Sequence, residues 1–147
     1  MSSPTLLEKT YHDTAIAGVA RQLLNFPNVD RPSWWTYRNE PIRTAGIEDG
    51  TRTYYPDLVV VDATSQAVVA FAEVETEGSV REAEAERWAE YSRLALEHAC
   101  NFYLFVPAGL GGQARRYRGL TFIDGLYSYS FEADGTLRVR DVTLWGS

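Results

Sequence analysis

The chain of 147 residues has one cysteine, Cys100, one lysine, Lys9, and two histidines, His12 and His98. A lone cysteine forms no internal disulfide, and no Cys/His spacing of the zinc-binding kind occurs. Two imidazoles leave few forms of histidine-centred catalysis, and a mechanism that needs an amine base has a single candidate. Long apolar runs are missing as well. The longest, Ala67 to Ala72, is six residues, far short of the roughly 20 that a membrane-spanning helix needs. A transmembrane helix is excluded on that ground, and no membrane partner is expected. The N-terminal Met-Ser-Ser-Pro-Thr-Leu-Leu-Glu-Lys has no charged region followed by an apolar stretch. Neither a secretory signal nor a transit peptide is expected, and a cytoplasmic address follows.

What is present suits one folded unit. At 45% hydrophobic, with 4 Trp, 9 Tyr and 6 Phe, the chain can bury a core without disulfides or a structural metal. No internal repeat, low-complexity tract or Gly/Ser linker interrupts it, so residues 1–147 read as a single domain. The formal net charge is −6, but it is regional: residues 73–97 hold eight glutamates against Arg81, Arg87 and Arg93. A uniformly basic nucleic-acid binder is excluded, whereas the slight positive excess of residues 101–147 leaves a locally basic surface open.

Residues 10–24 place Ile16, Val19, Ala20 and Leu23 on one helical stripe, ended by Asn25 and Pro27. Carried back by fours, that stripe puts His12 and Glu8 on the inward side. Residues 28–40, rich in Pro and Trp, read as an irregular connection, Pro41 to Ile47 as a short strand and Glu48-Asp49-Gly50 as a turn. Leu58 to Val61 and Ala67 to Thr76 are strong strand signals and predict an antiparallel hairpin. Both are apolar on both faces, which places them mid-sheet with cover on each side. Val80 to Ala99 is amphipathic, with Trp88, Tyr91, Leu94 and Ala95 on its inward face. Asn101 to Pro107 is a further buried strand, most simply parallel to an earlier one through a crossover. Gly111-Gly112 opens a short segment, Gln113 to Gly119. A terminal hairpin follows, with Tyr127, Tyr129 and Phe131 in one arm and Leu137 and Val139 in the other. This order predicts a three-layer α/β sandwich around a mixed sheet.

The residues that carry chemistry are acidic. Asp57 follows Pro56 at the start of one hairpin strand, and Glu73 and Glu75 lie near the end of its partner, on one face and roughly 6.5 to 7 Å apart by strand alternation. If the loop spans Ala63 to Ala67, Asp62 pairs with Val68 and Asp57 lies opposite Glu73. A four-residue loop shifts the register by one and puts Asp57 on the other face. Three carboxylates on one patch repel one another unless something compensates. A divalent cation is the simplest compensator. Oxygen ligands from Asp57, Glu73 and the backbone carbonyl of Val74, completed by water, suit Mg²⁺ or Mn²⁺. The alternative is a protonated acid, or pairing with arginines of the following helix.

The arrangement resembles the restriction-endonuclease-like superfamily, the PD-(D/E)xK nucleases, over roughly residues 6–107. Tyr55-Pro56-Asp57 matches the first motif of that family and Glu73-Val74-Glu75 the second, and the aromatic helix Trp88-Ala89-Glu90-Tyr91 is similar to that of small bacterial members with a Glu-Val-Glu motif. The resemblance implies an αβββαβ core followed here by a C-terminal β-hairpin, nucleic-acid phosphodiesters as substrate, and catalysis at Asp57, Glu73 and Glu75. It also makes Glu8, on the first helix, a candidate accessory metal ligand. The chain departs from the family at Glu75, where lysine is usual. Glutamate there can accept a proton from the attacking water, but the cation that steadies the transition state has to come from elsewhere, with Lys9, Arg81 and Arg87 as candidates.

Arg115, Arg116 and Arg118 are candidates for contacts with nucleic-acid phosphates. The segment Arg31 to Arg38 interleaves aromatics with cations, and packing or a subunit interface is the preferred use of Trp34-Trp35. The leading expectation is an Mg²⁺- or Mn²⁺-dependent nuclease. Its rivals are a catalytically inactive nuclease-fold module that binds without turnover, and an assembly protein that forms a homodimer through the terminal hairpin and Trp34-Trp35.

Overall fold

The structure, a computed structural model, describes residues 6–117 and 123–143. The chain runs α1 (Leu6–Gln22), β1 (Trp34–Arg38), β2 (Ile47–Asp49), β3 (Arg52–Tyr54), β4 (Leu58–Asp62), β5 (Ala67–Val74), α2 (Glu82–Glu97), β6 (Asn101–Pro107), α3 (Gly111–Tyr117), β7 (Gly125–Phe131) and β8 (Leu137–Asp141). A single 3₁₀ turn, Glu77–Ser79, joins β5 to α2. The architecture is mixed α/β. Six strands form one sheet in the order β1-β4-β5-β6-β7-β8, and β2 and β3 make a separate two-stranded sheet. Strands β1, β4 and β5 pair antiparallel, β5-β6 and β6-β7 parallel, and β7-β8 antiparallel. No helix among the described residues is long and apolar enough to cross a membrane.

Two cores lie on the two faces of the sheet, as the doubly apolar strands require. On one face Ala15, Ile16 and Val19 of α1 pack on Leu58, Val60, Ala72 and Val74. On the other, Trp88, Leu94 and Ala95 of α2 and Ala114 of α3 pack on Val59, Phe71, Leu104 and Leu126. The Val, Leu, Ile and Phe side chains among these contribute about 1.5 to 3 kcal/mol each when fully buried, so the register of β4 and β5 is strongly specified wherever both faces are covered.

The expected order of elements is found with four corrections. The segment predicted as irregular, residues 28–40, contains β1, paired along its whole length with β4 from Trp34↔Asp62 to Arg38↔Leu58. Its aromatics are strand residues at a sheet edge, a role that the flanking Pro and Trp content concealed. The strand expected over Pro41 to Ile47 is absent, because Pro41 removes a backbone donor where a ladder would need it. Regular pairing starts only at Ile47, and Glu48 and Asp49, expected in a turn, are strand residues paired with Thr53 and Arg52 in the β2-β3 hairpin, which reverses through Gly50 at φ +62°. The β4-β5 connection is the shorter of the two alternatives, with Asp62 paired to Ala67.

Candidate functional site

That four-residue loop would have carried Asp57 to the wrong face. A β-bulge between Val60 and Val61 of β4 corrects it: Val61 pairs with Val68 and Val60 with Ala70, leaving Val69 as the extra residue, and Leu58 then pairs with Ala72. Asp57, one residue before Leu58, is therefore opposite Glu73. Direct contacts show this. The Asp57 N–H donates to Glu73 Oε2 at 3.1 Å, and the Val74 N–H donates to Asp57 Oδ2 at 2.8 Å. Strand alternation keeps Glu75 on the same face as Glu73, and its backbone is fixed on both sides. Glu75 N–H donates to the Phe105 carbonyl at 2.8 Å, and the Tyr129 hydroxyl donates to the Glu75 carbonyl.

All three acids are buried, with exposures of 7% for Asp57, 4% for Glu73 and 3% for Glu75. They form the floor of a cleft of about 890 Å³ whose walls come from α1, the loop before β2, the turn after β5, and α2. Burial first, then the Asp57 charge, push the Glu73 carboxyl well above its ordinary range, against the opposing pull of Arg87. Burial also raises Glu75, to about 7, again with Arg87 opposing. Tyr91 of α2 is driven upward by burial and by the Glu73 charge.

The compensating charges are the chain's own. Arg87 of α2 places Nη2 3.0 Å from Glu75 Oε1 and 3.2 Å from Glu84 Oε2, and Nε 3.6 Å from Glu73 Oε1. His12 of α1 arrives from the other face, over the end of the sheet. Its Nε2 donates to the Val74 carbonyl at 2.8 Å and lies 3.4 Å from Asp57 Oδ2. Burial opposes protonation of this imidazole, yet the hydrogen bond and charge of Asp57 outweigh it and raise His12 to about 9. The two arms of the trio are thus held by a guanidinium, the arginine pairing that the sequence left as the alternative to a metal, and by an imidazole that it did not foresee.

Among the described residues no three His, Cys, Asp or Glu side chains stand as a metal-holding group. The oxygen donors nevertheless suit a hard cation in kind. The Val74 carbonyl and Asp57 Oδ2 both face one point, and the His12 N–H already holds an electropositive group there. Glu8 and Lys9 line the same cleft from α1, and Arg81 lines it from the start of α2. Arg115 and Arg116 lie on α3, outside the cleft lining, and Arg118 lies outside the described residues.

Sequence reasoning placed His12 inward as a hydrogen-bonded structural group without linking it to the acids, and it missed Asn39 altogether. The signal for His12 was its phase on α1. For Asn39 there was none, because its importance comes from a loop that only the fold brings back to it. The chain matches no family model, no curated protein and no solved structure.

Proposed function

We propose that the protein is a divalent-metal-dependent nuclease with a restriction-endonuclease-like fold, hydrolysing nucleic-acid phosphodiesters in this cleft. The order α1, β1, β4, β5, α2, β6, with an antiparallel trio followed by a crossover to a parallel strand, supports an αβββαβ core of that kind. The observation that carries the function is the convergence of Asp57, Glu73 and Glu75 from adjacent strands at the floor of one open cleft. Asp57, Glu73 and the Val74 carbonyl would hold Mg²⁺ or Mn²⁺, with Glu8 as an accessory ligand. Such an ion, when bound, lowers the pKa of a bound water and neutralises charge developing on the phosphodiester.

The chain's own groups do the rest. Glu75, with a carboxyl at about 7, has the affinity for a proton that a general base at neutral pH requires. Arg87 fixes its orientation by reaching both carboxylate oxygens, at 3.0 and 3.3 Å. Of the three cations considered in place of the missing lysine, Arg87 is the one with ion pairs to both Glu73 and Glu75. Arg115 and Arg116, on α3, are further candidates for phosphate contact. The unpaired Cys100 accords with a reducing, cytoplasmic setting.

A second reading is favoured by the same arginine: a nuclease scaffold that binds or assembles without turnover, its acids satisfied by Arg87 and His12 rather than by an ion. In that reading the edge strands β1 and β8, each with one side unpaired among the described residues, are the surfaces on which a homodimer would form. Labelled single- and double-stranded DNA and RNA, incubated with Mn²⁺, Mg²⁺ or chelator, separate the two. Metal-dependent cleavage lost in Asp57→Ala is the expected result, and equal background in both proteins at high concentration would leave only the second reading.

A further inference from the structure

The floor of the cleft is acidic, but part of its rim carries positive charge on a built support. Asn39, 3% exposed, uses the whole hydrogen-bonding capacity of its amide. Its Nδ2 donates to the carbonyls of Ala45 at 2.7 Å and Pro56 at 2.6 Å, and its Oδ1 accepts the N–H groups of Thr44 at 2.7 Å and Ala45 at 2.8 Å. The Asn39 N–H donates in turn to the Asp57 carbonyl at 3.0 Å. Residues 40–46 are thereby stapled to the start of β4, beside the acidic trio. That loop carries Arg43, whose guanidinium carbon sits 4.6 Å from the ring centroid of Tyr55. Both side chains are exposed and both line the cleft. Arg87 and Arg81 are committed to carboxylates, whereas Arg43 and Lys9 have no carboxylate within ion-pair distance among the described residues.

We infer that Arg43 and Tyr55 form a ledge that holds an unpaired nucleic-acid strand, the guanidinium meeting a phosphate and the stacked pair receiving a base, so that the next phosphodiester reaches Asp57, Glu73 and Glu75. The inference rests on the nuclease reading and narrows its substrate. A double helix is held by neutralising many phosphates over a broad basic face. Here two uncommitted cations border one cleft on a chain of net charge −6. The acids, each 7% exposed or less, line the floor of the cleft, and a flexible single strand can bend a phosphodiester down to them more readily than a rigid duplex. Stacking on an aromatic or a guanidinium face is the sequence-tolerant way to hold such a strand.

Binding is measured apart from cleavage, by fluorescence anisotropy in chelator with a labelled oligonucleotide of about 12 nucleotides, within the range of single-strand site sizes. The full chain is compared with Arg43→Ala, Tyr55→Ala and the pair Arg115→Ala/Arg116→Ala, each checked for an unchanged melting temperature. Wild type is expected to prefer the single strand to its duplex. Arg43→Ala and Tyr55→Ala should each weaken single-strand binding about tenfold, and Arg43→Ala should reduce the salt dependence of log K by about 0.7. No binding by wild type, preference for duplex, or a loss confined to the α3 pair would overturn the ledge. Metal-dependent cleavage assayed in parallel keeps the two claims apart. Asp57-dependent cleavage indifferent to Arg43 and Tyr55 rejects the ledge and keeps the nuclease, while ledge-dependent binding without any cleavage rejects the nuclease alone.

Discussion

Glu75→Gln should flatten the pH dependence of folding stability by about 2 to 3 kcal/mol between about pH 5 and about pH 8. The magnitude follows from burial. Glu75 is 3% exposed, and its carboxyl is raised from 4.5 to about 7, by burial first, with Arg87 pulling the other way. A carboxyl raised in the folded state contributes stability that is fully present below the unfolded value of 4.5 and is lost as pH rises through 7. At about pH 5 the folded chain still holds the proton that the unfolded chain has mostly released, and linkage makes that difference about 2 to 3 kcal/mol. At about pH 8 both states have released it, and the contribution is close to zero. Glutamine keeps the shape and has no proton to lose. The comparison is a difference of differences, so any constant effect of losing the Arg87 partner cancels. The His12 contribution, present below 6.5 and lost as pH rises through 9, is common to both proteins. Urea denaturation at the two pH values, with equal slopes verified, gives the four stabilities. Parallel pH profiles for wild type and variant would refute the claim that the folded protein holds Glu75 at a raised affinity for its proton.

Three further outcomes are expected. Arg87→Met keeps the aliphatic stem but leaves Glu73, Glu75 and Glu84 without their shared cation. Because the Arg87 side chain is 45% exposed, the loss is discounted for solvent screening to about 1 to 3 kcal/mol near pH 8, shrinking toward pH 5 as the carboxyls gain protons; an equal loss at both pH values in urea titrations would contradict it. Glu73→Gln removes a carboxylate that burial and Asp57 disfavour, so the metal-free protein should melt higher near pH 8 while its stabilisation by Mn²⁺ disappears; a Mn²⁺ shift in melting temperature equal to that of wild type would place the ion elsewhere. Gly18→Ala adds a methyl 2.9 Å from Leu137 Cδ2 and 3.0 Å from Leu137 Cβ, and overpacking of about 1 to 3 kcal/mol exceeds the helix-propensity gain of about 1 kcal/mol; an unchanged or higher urea midpoint would show that β8 moves aside.

Much of the sheet was legible because its signals are local. The doubly apolar runs at Leu58 to Val61 and Ala67 to Val74 announce central strands without reference to anything distant, and Asn101 to Pro107 follows them for the same reason. β1 was hidden because Trp34 to Arg38 is an edge strand whose alternation is blurred by exposed aromatics, with Trp35 47% exposed. The site divides in the same way. The three acids are fixed by alternation along β5 and by opposition across the hairpin, so their convergence depends on register alone. Yet the register was right at the site for an unforeseen reason: the short loop and the bulge at Val69 are two one-residue shifts that cancel. No local rule reads that cancellation from the sequence, since each shift is tolerable and only burial of both faces selects the pair. What counters the acids is less legible still. Lys9, Arg81 and Arg87 were equivalent while only composition was known. Arg81 and Arg87 both stand three residues from Glu84 and pair with it, but Arg81 is the extended N-cap of α2 whereas Arg87 lies within the helix, on one stripe with Glu84 and Tyr91 beside the buried Trp88. That stripe faces the end of β5, which makes the ion pairs of Arg87 a consequence of how α2 packs rather than of any motif around it.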